Sequence, residues 1–194
     1  MCNNSFKRQT DKQKIFYGRG EGAASKNFSA AQNIMSQSTR TLLELFGIFL
    51  GVLIFLTAAY FLSTEIKGPE LANASKMTLS AWEEKLITVT RIAGVLTLVC
   101  SLIWYILARF VFSIENAESA GKRTVWFVLF LIVAIGNYFI TSYYAEGLGI
   151  KLSFSVSAIF ILCLAVGGYW LTSIFTTPAN FKYTPVGAQI FRHY

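Results

Sequence analysis

Histidine is nearly missing from this chain: there is one in 194 residues, His193, next to the C-terminal Tyr194. A single imidazole in that place excludes bis-histidine haem ligation and a Ser-His-Asp triad inside the bundle. It also excludes the H-E-x-x-H zinc motif. Charge is scarce too. Asp, Glu, Lys and Arg make up 14% of the residues, against about 25% in a typical soluble domain. The long apolar stretches hold no carboxylate pair that could couple a proton or a cation. No P-loop, G-x-G-x-x-G or G-x-S-x-G motif occurs. The run Gly18-Arg19-Gly20-Glu21-Gly22 has glycine without a preceding strand or a following Lys-Ser pair, so it does not build a phosphate loop.

Cysteine is also rare. Cys100 and Cys163 fall in apolar surroundings, where a thiol packs as a small hydrophobe. Cys2 stands alone, and there is no C-x-x-C spacing, so neither a disulfide framework nor a zinc site follows. No cofactor, no metal and no catalytic constellation is expected. The first 40 residues lack an apolar signal-peptide core, so no cleaved leader is expected. Met35 resembles an alternative start.

What the chain has in quantity is apolar length. Hydrophobic residues make up 54%, with 17 Phe and a mean hydropathy of +0.51. They gather in four runs, Leu42–Leu62, Ile92–Ala108, Val125–Tyr144 and Leu152–Ile174. Each is close to the ~20 residues needed to cross a bilayer as a helix. In the bilayer a spanning segment must satisfy its own backbone, which favours helices. The predicted fold is therefore all-α: a four-span transmembrane helical bundle with a flexible basic N-terminal tail. Its divisions are the tail 1–40, the bundle 41–176 and a short C-terminal tail 177–194.

The net charge of +7 is concentrated at the front. Residues 1–40 hold seven Lys or Arg against two acids. Beside a membrane span, such a segment is first a topology signal and a contact for anionic lipid. Lys7, Arg8, Lys12, Lys14 and Arg19 are the expected membrane-surface or partner contacts, and no nucleic-acid partner is expected. With both termini cytoplasmic, twelve Lys or Arg fall inside and five outside. The positive-inside bias favours that orientation, in an inner or plasma membrane.

Within the spans, Gly47 and Gly51 form a G-x-x-x-G spacing that lets another helix approach. Gly167-Gly168 marks a close-packing or bending point in the fourth span. Asn137 is the strongly polar residue nearest the middle of a run, and as interhelical glue its hydrogen bond contributes ~0.6–2 kcal/mol. Glu44 lies in the first turn of its run, where an acid complements the helix dipole.

Ser80-Ala81-Trp82-Glu83 matches a capping box, so the second helix is predicted to start near Ala81, with Trp82 at the interface. It is predicted to run on to Glu115 or Glu118 before Gly121. Arg91 and Arg109 lie 18 residues apart, about 27 Å along a helix, and their guanidinium groups can snorkel to opposite interfaces.

The expected function is that of a non-catalytic integral membrane subunit or accessory factor of a larger membrane assembly. Its partners are then lipids and other membrane subunits. The alternative is a small homo-oligomeric channel, holin or transporter, with Asn137, Glu44 and Ser153–Ser157 lining the path. A weaker third reading is a membrane-bound enzyme using Glu83 and Glu84.

Overall fold

The computed structural model describes residues 38–67, 73, 78–112, 120–144, 150–178, 181 and 184–191, and most of these residues are helical, with no strand among them. The chain divides between Glu44 and Leu45. On the first side, Arg40 Nε donates to Glu44 Oε1 at 3.0 Å, one turn apart on an exposed helix surface. Four helices are long and apolar enough to cross a membrane. They are α1 (Ser38–Glu65), α2 (Leu79–Val111), α3 (Ala120–Tyr144) and α4. The last is built from Ile150–Phe160, a π-helical stretch Ile161–Leu171, and Thr172–Thr176.

The helices overhang the apolar runs, and two boundaries, both of α2, differ from the sequence expectation. The first helix continues past the end of its apolar run at Leu62. It widens into a π-helical segment, Ser63–Lys67. At the start of α2 the cap is Thr78, not Ser80. Thr78 has extended backbone (φ −72°, ψ 151°), and its hydroxyl accepts from the Ala81 amide at 3.4 Å. Ser80 is already inside the helix, with its hydroxyl 3.2 Å from that of Thr78. At the other end, α2 stops at Val111. Phe112 turns extended (φ −79°, ψ 110°), and its amide donates to the Leu107 carbonyl at 2.9 Å in a final π-type turn. Gly121 lies within α3 and does not end α2.

The core is organised around α4. Over its most apolar window 56% of α4 is buried, against 17% for α1. Small residues set the spacing. A Cβ on Gly51 would stand 3.0 Å from Thr172 Oγ1, and one on Gly168 would stand 3.1 Å from Thr97 Cγ2. A Cβ on Gly94 would come within 2.7 Å of Leu56, and one on Gly136 within 2.5 Å of Leu96. One on Gly167 would overlap the Phe55 ring. So α1 and α2 both reach α4, through Phe55, Thr97 and their neighbours. Along the π-helical stretch Cys163, Leu164, Ala165, Gly167, Gly168 and Tyr169 are all buried. A helix enclosed on most sides is apolar nearly all round, and this stretch shows that pattern.

Candidate functional site at the aromatic end of the bundle

The inward face of α2 repeats at helical spacing: Ala93, Thr97, Cys100, Ser101, Trp104, Ala108. That of α3 does the same with Trp126, Leu129, Val133, Asn137 and Thr141. These two stripes bring Trp104 and Trp126 to the end of the bundle where α4 finishes. Trp104 is fully buried, and its Nε1 donates to Thr177 Oγ1 at 2.8 Å. Trp126 Nε1 donates to Ser173 Oγ at 2.9 Å. Tyr169 Oη donates to the Trp126 carbonyl at 3.1 Å, and Trp170 Nε1 to the Val186 carbonyl at 2.7 Å. A buried indole needs a partner for its N–H, and here serines, threonines and backbone carbonyls supply it.

The C-terminal tail folds onto this end. Phe181 is buried beside Trp104 and Phe112, with ring centroids 6.5 and 6.4 Å away. Lys122 is buried at 6% exposure. Its Nζ lies 5.0 Å from the centre of the Phe181 ring and 5.7 Å from that of Phe112. Both distances fall within the ~6 Å over which a ring face attracts a cation. Lys122 therefore does more than flank a span: its ammonium holds the tail at Phe181 against the end of α2 at Phe112 and the start of α3.

Beside this cluster lies an apolar cavity of about 360 Å³, lined by Trp126, Phe127, Phe130, Val166, Trp170 and the Val186-Gly187 turn. Gly187 has φ +88°, and a Cβ there would stand 3.2 Å from the Trp170 ring. Glycine thus allows both the left-handed turn and the close approach of the tail. The arrangement suits holding an apolar group or a partner's side chain.

A second polar feature crosses the middle of the bundle. Asn137 is fully buried. Among the described residues its side chain does not bridge helices as expected. Its Nδ2 donates to the Val133 carbonyl of its own helix at 2.8 Å, and its Oδ1 has no partner among the described residues. The link between α3 and α4 comes one turn later, where the hydroxyls of Thr141 and Ser157 share a hydrogen bond at 2.5 Å. Thr141 also donates to the Asn137 carbonyl at 2.7 Å. A buried acceptor left unpaired costs about 1–3 kcal/mol. Asn137→Leu should therefore keep the fold and raise its stability by about 1 kcal/mol. Unfolding in detergent measures this, and a loss beyond 2 kcal/mol would show that Oδ1 has a partner from outside the described residues.

The remaining sequence-derived positions are distributed as follows. Gly51, Gly167 and Gly168 sit at close contacts, whereas no described residue lies within 4 Å of where a Gly47 Cβ would stand. Glu44 pairs with Arg40. Trp82 turns inward and is buried with Leu86, Val89 and Ala59. Ser157 is buried, and Ser153 lies outside the described side chains. Lys7, Arg8, Lys12, Lys14 and Arg19 lie outside the described residues.

Among the described residues no three His, Cys, Asp or Glu side chains come together as metal ligands. The sequence reading does not identify the aromatic end, although its signal is present in three of the four Trp residues, Trp104, Trp126 and Trp170, and in the Ser173-Thr177 spacing. Comparison with protein-family models, with curated proteins and with solved structures returned no match.

Proposed function

We propose that this chain is a non-catalytic membrane subunit or accessory factor of a larger membrane protein assembly. The observation that supports it is the filled interior. Trp104, Tyr169, Phe160, Leu164 and Val133 are fully buried along the axis of the bundle. The two inward polar residues named for a pathway, Asn137 and Ser157, make their described bonds within the bundle wall. Buried side chains along the described axis favour a packed interior over a hydrated path through one copy.

The outer surface is available instead. Phe46, Phe49, Leu53, Ile54 and Phe61 of α1 are exposed, and Gly47 on the same helix has open space around it. A glycine there is about 0.8–1.0 kcal/mol poorer than alanine for helix formation. Close approach of a second helix offsets that cost.

Purification of the full chain in mild detergent tests the reading. A stable heteromeric complex is the expected result. A pure homo-oligomer that carries ions into liposomes would replace it with the channel reading.

The proposed orientation places both termini in the cytoplasm. In a background with Cys2, Cys100 and Cys163 replaced by Ser, single cysteines at Ser25 and Ser75 should differ in labelling by an impermeant thiol reagent. Ser75→Cys should label in intact cells and Ser25→Cys only after permeabilisation. Equal labelling of the two would overturn this topology.

A further inference from the structure

A groove of about 260 Å³ runs between α1 and α2 on the outer face of the bundle. Its walls are Phe49, Val52, Leu53 and Leu56 of α1, with Gly94, Val95 and Leu98 of α2, and one lining residue differs in kind: Arg91. Arg91 is exposed and makes no ion pair with any described residue. Gly94 lets α1 approach closely at the groove, a Cβ there standing 2.7 Å from Leu56 Cδ2.

Depth gives the groove a polarity. Arg91 and Arg109 bracket about 27 Å of helix, close to the ~30 Å hydrocarbon thickness, so Arg91 lies at one boundary of the core. It stands at the end away from Thr177 and the tail. From Arg91 to Leu98 the groove follows α2 for about 10 Å toward the bilayer centre, and over that length its lining is apolar.

A cation at headgroup depth above an apolar channel matches the layout of one lipid: a phosphate at the surface and an acyl chain below it. A guanidinium at the edge of hydrocarbon snorkels to the phosphates of the headgroup layer. The two non-bridging oxygens of a phosphodiester accept two parallel guanidinium N–H bonds, a geometry that a lysine cannot reproduce.

We propose that this groove is a binding site for one phospholipid, held by its phosphodiester on Arg91 and by an acyl chain between α1 and α2. The site is independent of whether the protein serves as a subunit or as a channel.

Native mass spectrometry of the full chain with dioleoylphosphatidylglycerol tests it, with dioleoylglycerol as the same chains without phosphate. The wild type should retain one phospholipid and not the diacylglycerol. Arg91→Gln should weaken retention at least ten-fold, and Arg91→Lys should recover part of it. Val95→Trp fills the groove from its exposed side, Val95 being 62% exposed, and should also displace the lipid without disturbing the bundle. Unchanged size-exclusion profiles show that the variants are folded. Equal retention of dioleoylglycerol, or wild-type retention by either Arg91→Gln or Val95→Trp, would overturn the proposal.

Discussion

Replacing Trp104 by Ala should destabilise the bundle by about 3 kcal/mol. Large aromatic-to-alanine changes in soluble cores cost about 3–5 kcal/mol, part of it from transfer to water and part from the cavity left behind. In a bilayer the transfer share is weak, because lipid tails are as apolar as the protein interior. What remains is packing, and Trp104 has much of it. It is fully buried, lies 6.0 Å from Phe112 and 6.5 Å from Phe181 between ring centroids, and its N–H binds Thr177. The low end of the soluble range therefore applies.

Trp104→Phe separates the two contributions. It keeps a ring and loses the hydrogen bond, and should cost about 1 kcal/mol from that bond plus a smaller packing loss. The tail should loosen in both variants, since Phe181 and Lys122 share the same cluster. Limited proteolysis after Thr177 reads that directly. A Trp104→Ala protein with wild-type unfolding and an uncut tail would show that the aromatic end does not hold the bundle together.

The second large effect is a contrast between two glycines that look alike in sequence. Gly167→Ala should destabilise by about 1–3 kcal/mol, the usual cost of forcing atoms into a filled core. Its new methyl would overlap the Phe55 ring, which lies between α1 and α4. Gly47→Ala meets nothing within 4 Å among the described residues. It should stabilise the isolated chain by up to about 1 kcal/mol, because alanine is the better helix former. Unfolding of both variants in the same detergent gives the difference directly.

If Gly47→Ala also lowers recovery of a co-purified partner, the outer face of α1 is where that partner binds. If Gly167→Ala unfolds like the wild type, α1 does not pack on α4 as described.

The sequence alone determined the class of the molecule, because the bilayer imposes a simple test. Runs such as Leu42–Leu62 and Leu152–Ile174 are long enough to cross and carry almost no charge, and in hydrocarbon only a helix satisfies their backbone. The four helices follow from that one-dimensional pattern. Helix ends were less legible. Thr78 and Ser80 are both good caps, and the choice between them depends on which residue takes extended backbone. The stop at Val111 similarly depends on Phe112 leaving the helix to join Trp104 and Phe181.

Only the tertiary structure decided which polar and small residues meet. Asn137 and Thr141 lie on the same face of α3, and nothing local distinguishes the one that will face a partner hydroxyl. Ser157 on α4 makes that choice. Gly47 and Gly51 likewise share a helix face, but α4 passes only Gly51, at Thr172. Lys122 is an ordinary membrane-boundary lysine by position, and becomes a buried cation only when the C-terminal tail brings Phe181 over it. Spanning is a property of each segment by itself, whereas pairing depends on the relative position and rotation of two helices, and a sequence pattern of one helix does not specify its neighbour.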